Sequence, residues 1–298
     1  MREPMYAGSF YPRSEKALVK AIEACFGGAY GPGVLPNLSK HAPKHAKTSA
    51  SVEVKAVVKA VISPHAGYAY SGMAAAWSYK ALAEAGLPDV FIILAPNHRG
   101  AVSGISVDTF KTPLGLVRVD QDFANLLAKK GTIPINNAVH ELEHSLEVQL
   151  PFLQYVFEKQ AEKIKIVPIL VSSDIDLKKA AIDLKEAIID SGKKVCFIVS
   201  SDFTHFGPNF GYLPFKDDLR NKISELDMRA VEIIKLGDAD SFEEFLEATD
   251  DTICGASPIT LMLRTVKFTK STLEKYYVSG DLSGDYLNSV SYVSMSFR

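Results

Sequence analysis

Two rhythms of hydrophobic and polar positions alternate along this chain. Short, nearly continuous apolar runs rich in Val and Ile read as buried strands: VVKAVIS (57–63), VFIILA (90–95), KIVPILVS (165–172) and VCFIVSS (195–201). Between them apolar residues recur every three or four positions, which predicts helices over Ser14–Phe26 and near 72–85, 120–130, 143–162 and 176–191. The segment FKDDLRNKISELDMRAVEIIKLG keeps the same spacing and stops at Gly237, a residue that readily takes a helix C-terminus. Short helices near 241–249 and 256–268 follow, and EKYYVSGD and SVSYVSMSF alternate like strands. SGISVDTF and LVRVD add a β-rich stretch between the second and third strands. Repeated βα units predict a three-layer α/β sandwich with a mainly parallel central sheet, the terminal strands adding an antiparallel edge.

With no internal repeat and one composition regime, the 298 residues are expected to form a single domain. The stretch GPGVLPNLSKHAPKHAKTSAS, about 31–51, mixes Gly, Pro, Ser and Lys and is expected to be a surface loop, with His41 and His45 solvated. A formal net charge of -2 gives no reason to expect nucleic acid or an anionic membrane as partner. No apolar run approaches the roughly 20 residues of a membrane span, and the start MREPMYAGSFYP lacks a signal-peptide core, so a cytoplasmic protein is expected. Three cysteines form too sparse and odd a set for a disulfide framework.

The chemistry concentrates just past the strands. His65 in PHAGYAYSG, His98 in APNHRG and His205 in SSDFTHFG each follow an apolar run. In an open parallel sheet the carboxyl ends of strands share one edge, so these imidazoles and Asp202 are expected in one pocket. One histidine after a strand is more often a hydrogen-bonded loop residue; three of them reverse that balance. Cys254 in DDTICGASPIT stands before Ser257-Pro258, which reads as a cap and first helical position. A thiol there is expected to have a lowered pKa and to bind metal as thiolate. Cys196, in mid-strand, and Cys25, at the end of an apolar helix face, read as core.

A rival motif is His140-Glu141-Leu142-Glu143-His144, which matches the H-E-x-x-H pattern of zinc hydrolases. Against it, two Asn residues precede the motif, Ser145 reads as a cap for a helix continuing to Pro151, and no third ligand follows at a metzincin spacing.

The segments AGSFYP (7–12), PHAGYAYSG (64–72), APNHRG (95–100), EHSLEVQLPFLQ (143–154), SSDFTHFG (200–207) and TICGASPI (252–259) together resemble the Memo family, whose prokaryotic members are called AmmeMemoRadiSam system protein B. The resemblance spans nearly the whole chain. It implies a fold similar to LigB-type class III extradiol dioxygenases, with a mononuclear non-haem metal pocket. Carried over by motif, His65, His98 and Cys254 would be the metal ligands, with Asp202, His205 and His144 lining the pocket as catalytic groups. His140 and Glu141 would then be incidental. The chain departs from animal members at Arg99, where they carry a second His, and at Ser257, where a His follows their CG pair.

Iron is the metal the resemblance implies. A His, His, Cys set is softer than the two His and one carboxylate of extradiol enzymes and suits iron, copper or zinc, with copper and zinc favoured by intrinsic affinity and iron only if supply selects it. The first expectation is a metal-dependent redox or dioxygenase-like protein acting on an unknown small-molecule or peptide substrate. The alternative is a metal-independent module that binds a peptide or protein in the same cleft, a radical-SAM protein being the partner that the system name points to. The zinc hydrolase comes third. Arg99 reads equally as an anchor for a substrate carboxylate or phosphate and as a solvated loop residue.

Overall fold

The computed structural model describes residues 1–33 and 57–298. The expected surface loop therefore lies, from residue 34 on, outside the described residues. In chain order the elements are α1 (Glu15–Gly27), β1 (Ala60–Ser63), α2 (Tyr68–Ala85), β2 (Val90–Pro96), β3 (Gly104–Ile105), β4 (Phe110–Thr112), β5 (Gly115–Val119), α3 (Gln121–Ala128) and α4 (Gln149–Val156). There follow β6 (Lys165–Val171), α5 (Leu177–Ser191), β7 (Val195–Ser200), β8 (His205–Phe206), α6 (Leu219–Leu236), α7 (Ala239–Thr249), α8 (Ala256–Thr265), β9 (Ser271–Val278), α9 (Gly280–Ser283) and β10 (Ser289–Phe297).

The apolar runs form the middle of one sheet, because strands covered on both faces have no position left for polar residues. β5, β6, β2, β7 and β1 lie side by side and parallel, with Ile92 opposite Val167 on one side and Phe197 on the other. Every residue of β1 and β2 is buried. Each fully buried Ile or Leu there contributes about 1.5–3 kcal/mol. At one side β10 pairs antiparallel with β1 and carries β9 and β8, which is the antiparallel addition expected of the terminal strands. On the far side β4 pairs antiparallel with β5. Helices flank the sheet in two groups: α2 packs on β1 and β10 with α1 and α4 against it, while α8 packs on β2, β6 and β7 with α5 and α7 against it. The result is the expected three-layer sandwich.

Helix boundaries depart from the expected ones in three places. The helix expected over 143–162 is only α4, followed by a 3-10 turn at Glu158–Lys163. Ser145 caps nothing: its hydroxyl donates to the Pro96 carbonyl (2.7 Å), and Glu143 takes the N–H groups of His144 and Ser145 (2.8 and 2.9 Å). Those local bonds compete with helix, and the segment stays a loop. Pro151 sits in the first turn of α4, where its missing N–H has no partner to lose. α2 starts at Tyr68, four residues early, with Tyr68 N–H donated to the Phe10 carbonyl (2.8 Å). α8 is capped by Gly255 rather than Ser257.

Candidate metal centre

β1, β2 and β7 are neighbours in the sheet and end at Ser63, Pro96 and Ser200, so His65, His98 and Asp202 each leave the same edge two residues later. The imidazoles of His65 and His98 stand 5.2 Å apart, centroid to centroid, and that of His144 lies 5.4 Å from His65 and 4.8 Å from His98.

Hydrogen bonding decides which nitrogen of each ring faces outward. Ser200 Oγ donates its one proton to the Ser145 carbonyl (2.6 Å) and accepts from Gln149 Nε2 (2.8 Å). Toward His65 Nδ1, 2.8 Å away, that hydroxyl can only accept, so Nδ1 carries the proton. His65 Nε2 is left with its lone pair, 3.3 Å from Cys254 Sγ. Burial pushes the His65 imidazole well below its ordinary pKa, with His98 and His144 adding to the effect.

His98 and His144 share one buried carboxylate. Glu143 Oε1 accepts from His98 Nδ1 (3.0 Å) and His144 Nδ1 (3.1 Å), and Oε2 accepts from the His98 backbone N–H (2.6 Å). Burial pushes the Glu143 carboxyl up, but the donors on His144, His98 and Ser145 outweigh it and hold the group well below the usual carboxylate range. A carboxylate facing two Nδ1 atoms fixes both as N–H donors and frees both Nε2 atoms. The loop that carries Glu143 and His144 is tied down by the buried Arg2, which donates to the carbonyls of His140 (2.6 Å) and Glu143 (2.7 Å) and pairs with Glu147.

His205 repeats the pattern without a carboxylate. Its Nδ1 faces only carbonyl oxygens, of Phe203 (2.9 Å) and Thr252 (3.1 Å), and carbonyls cannot donate. Asp202 Oδ1 accepts from the N–H groups of His65 (2.8 Å) and Ala66 (3.3 Å), pinning the turn that aims His65, while burial pushes its carboxyl up. The Asp202 N–H donates to Cys254 Sγ (3.2 Å). Gly255 lets this turn press against the β7 end: a Cβ there would lie 2.3 Å from that of Ser201.

Cys254 does sit at the start of α8, yet burial, then the nearby Asp202 carboxylate, push its thiol well above the ordinary pKa. The expected lowering by the helix dipole is thus overturned by desolvation. Three combinations of side chains bring their possible ligand atoms within 4.8 Å of one another: His65, His98 and Cys254; His98, Glu143 and His144; and Asp202, His205 and Cys254. Of these, His65, His98, His144, Asp202 and His205 line a cleft of about 500 Å³ whose walls also include Phe10, Arg99 and Phe210. These donors are of a kind and spacing that can hold a metal ion.

The zinc-hydrolase motif does not assemble. His140 ends a 3-10 turn, is buried, and its Nε2 bonds the Gly104 carbonyl (3.0 Å) beside Phe110; burial lowers its pKa to about 4. Only His144 of the pair reaches the cleft. Ser257 is not among the residues lining it. Glu143 and Ser200, which orient three of the four imidazoles, had no assigned role in the sequence reading. The one cue was the position of Glu143 immediately before His144 in EHSLEVQLPFLQ. Among the described residues no helix is long and apolar enough to cross a membrane.

Fold and site together define an α/β sandwich protein with a histidine-lined cleft, a cysteine beside it, at the carboxyl edge of its parallel strands. A profile of Memo-like proteins matches residues 2–296, and the chain belongs to that family. It is 36% identical over 308 residues to a MEMO1 family protein of Methanopyrus kandleri (100% of this chain, 99% of the relative). It is 37% identical over 309 residues to one of Methanobrevibacter smithii, with both chains covered in full. A crystal structure of an uncharacterized Escherichia coli K12 protein shares the fold at TM-score 0.51 and 13% identity, covering 81% of this chain and 100% of that one.

Proposed function

We propose that this chain is a metal-dependent redox protein of dioxygenase-like type, holding one transition metal on His65, His98 and Cys254 and acting on a small or peptide-borne substrate. The observation that carries the reading is the common orientation of four imidazoles. His65, His98, His144 and His205 each commit Nδ1–H to an acceptor, so a neutral ring presents only a lone pair from Nε2. A cluster of acceptors with no donor among them fits a cation.

Bound there, the metal would supply Lewis-acid and one-electron chemistry. His144 and His205, outside the three-ligand set, are placed to take or return a substrate proton at Nε2. Asp202 holds the His65 turn and the Cys254 sulfur in register. The likeness to LigB-type extradiol dioxygenases, and to the AmmeMemoRadiSam proteins, argues for iron; the thiol in place of a carboxylate argues for copper or zinc. A thiolate beside oxygen is itself open to oxidation, which weighs against catechol ring cleavage as the reaction.

The test is elemental analysis of protein purified without oxygen and without a histidine tag, after loading with Fe(II), Cu(I) or Zn(II). One equivalent of metal that is lost in Cys254→Ser and kept in His140→Ala is the expected result. Full stoichiometry in Cys254→Ser overturns the three-ligand assignment, and no metal in any preparation overturns the metal reading and leaves a metal-free binding cleft.

A further inference from the structure

Arg99 follows His98 directly and lines the same cleft. Its guanidinium is held in place: Nε–H donates to the Leu142 carbonyl (3.0 Å), and Nη2 donates to the Tyr6 hydroxyl (2.8 Å), which itself donates to Leu142 (2.7 Å). Tyr6 in turn packs on Phe10 and on the His144 ring, with centroids 5.1 and 5.4 Å away. Of the five N–H groups of a guanidinium, two are therefore used and the others have no protein partner among the described residues. No carboxylate of the described residues lies within ion-pair distance of Arg99.

The nearest carboxylates are committed elsewhere: Glu143 acts on Arg99 electrostatically but makes no ion pair with it. The carboxylate among the cleft residues, Asp202, spends Oδ1 on two backbone N–H groups, and Glu143 spends both oxygens on imidazole and backbone donors. What remains open to a ligand is a fixed cation at the rim, imidazole nitrogens below it, and the Phe10 and Phe210 rings on the walls. A planar, preorganised guanidinium with no ion-pair partner among the described residues matches an oxyanion, and its fixed geometry removes much of the entropy cost of binding one.

We propose that Arg99 is the anchor for an oxyanion, carboxylate or phosphate, carried by the substrate of this cleft. The proposal deepens the metal-cleft reading and rests on it for the statement that the ligand is a substrate. The anion sits on Arg99, and the adjoining part of the molecule extends between Phe10 and Phe210 over Nε2 of His98 and His144. The cleft volume of about 500 Å³ admits a small acid or the end of a peptide side chain.

The test is calorimetric titration at low ionic strength with sodium benzoate, sodium acetate and inorganic phosphate. It compares wild type with Arg99→Gln and with Arg118→Gln, a control in β5, with uptake of Fe(II), Cu(I) and Zn(II) measured on the same samples. Binding of at least one anion to wild type, weakened tenfold or more in Arg99→Gln and unchanged in Arg118→Gln, is expected; the benzoate and phosphate arms say which oxyanion is preferred. Equal binding by wild type and Arg99→Gln, or no anion bound by wild type, overturns the proposal. Zinc retained in Arg99→Gln while anion binding is the same as wild type removes the anchor and keeps the metal reading. Arg99-dependent anion binding in a protein that takes up none of Fe(II), Cu(I) and Zn(II) removes the metal reading and keeps the anchor.

Discussion

Buried carboxyls in two parts of the molecule, under the imidazoles of His98 and His144 and behind the His205 turn, behave in opposite ways. On the cleft side, Glu143 is ringed by N–H donors and stays ionised although it is nearly inaccessible to water. Behind the turn, Asp227 and Asp251 both face the hydroxyl of Thr204, at 2.7 and 2.9 Å, and Tyr276 donates to the other Asp227 oxygen (2.8 Å). One hydroxyl has one proton to give, so the pair is satisfied only when one carboxyl keeps its own. Burial, then Asp227, push Asp251 up to about 7, and burial pushes Asp227 up as well. The difference teaches that burial alone does not set the charge of a carboxyl: fixed donors weigh against it, and a neighbouring carboxyl weighs with it. The protein places the donor-rich carboxylate under its imidazoles and the donor-poor pair behind the His205 turn.

Breaking the donor-rich side has the largest expected effect. Glu143→Gln puts an amide that both donates and accepts where only acceptors fit, and leaves imidazole N–H groups unpaired. A loss of about 3 kcal/mol in denaturant unfolding is expected. Metal affinity should fall about 10–100-fold in the same variant, measured by competition with a chelator. An unchanged affinity would show that the carboxylate does not orient His98.

The donor-poor pair carries the pH dependence. Because the folded pKa of Asp251 lies above that of an unfolded aspartate, its contribution to stability is fully present below about pH 4 and is lost as pH rises through about 7. Glu143 runs the other way: its contribution is present above the ordinary carboxyl range and is lost as pH falls below about 4. Asp251→Asn, which keeps a donor toward Thr204, should therefore match wild type near pH 4 and exceed it by about 2 kcal/mol at pH 8, read from unfolding midpoints across pH. Parallel curves for the two proteins would mean that Asp251 is ionised throughout.

Ser200→Ala tests the remaining imidazole. It removes the acceptor of His65 Nδ1–H, for a stability cost of about 1–2 kcal/mol and an approximately tenfold loss of metal affinity. Loss of stability with intact metal binding would assign the hydroxyl to packing of the β7 end alone. Smallest of all is the effect of His140→Ala on the metal, which should leave stoichiometry and affinity unchanged, since His140 faces Gly104 away from the cleft.

The order of strands and helices was legible because Val- and Ile-rich runs such as VFIILA have no polar face to offer water, and because Ser14 and Asp176 cap α1 and α5 as their chemistry predicts. The convergence of His65, His98 and Asp202 was legible too, since parallel neighbours must deliver the residues after them to one edge. The helix expected over 143–162 was not, because Glu143 turns back on the N–H groups of its own loop, a choice that its place in an apparently helical pattern conceals. The depressed Cys254 pKa expected from a helix start failed for a related reason: position on a helix is local, whereas desolvation depends on everything packed around the sulfur.

What this sequence determined by itself was therefore the fold class and which side chains leave the carboxyl edge of the sheet together, both of which follow from local pattern and residue type. Tertiary structure alone decided the rest: which nitrogen of each imidazole faces the cleft, which carboxyl stays charged, and that Arg99 stands beside the cleft with no ion-pair partner among the described residues. Those properties depend on partners far away in the chain, such as Ser200 for His65 and Glu143 for His98, and a hydrogen bond between distant residues exists only once the chain has folded.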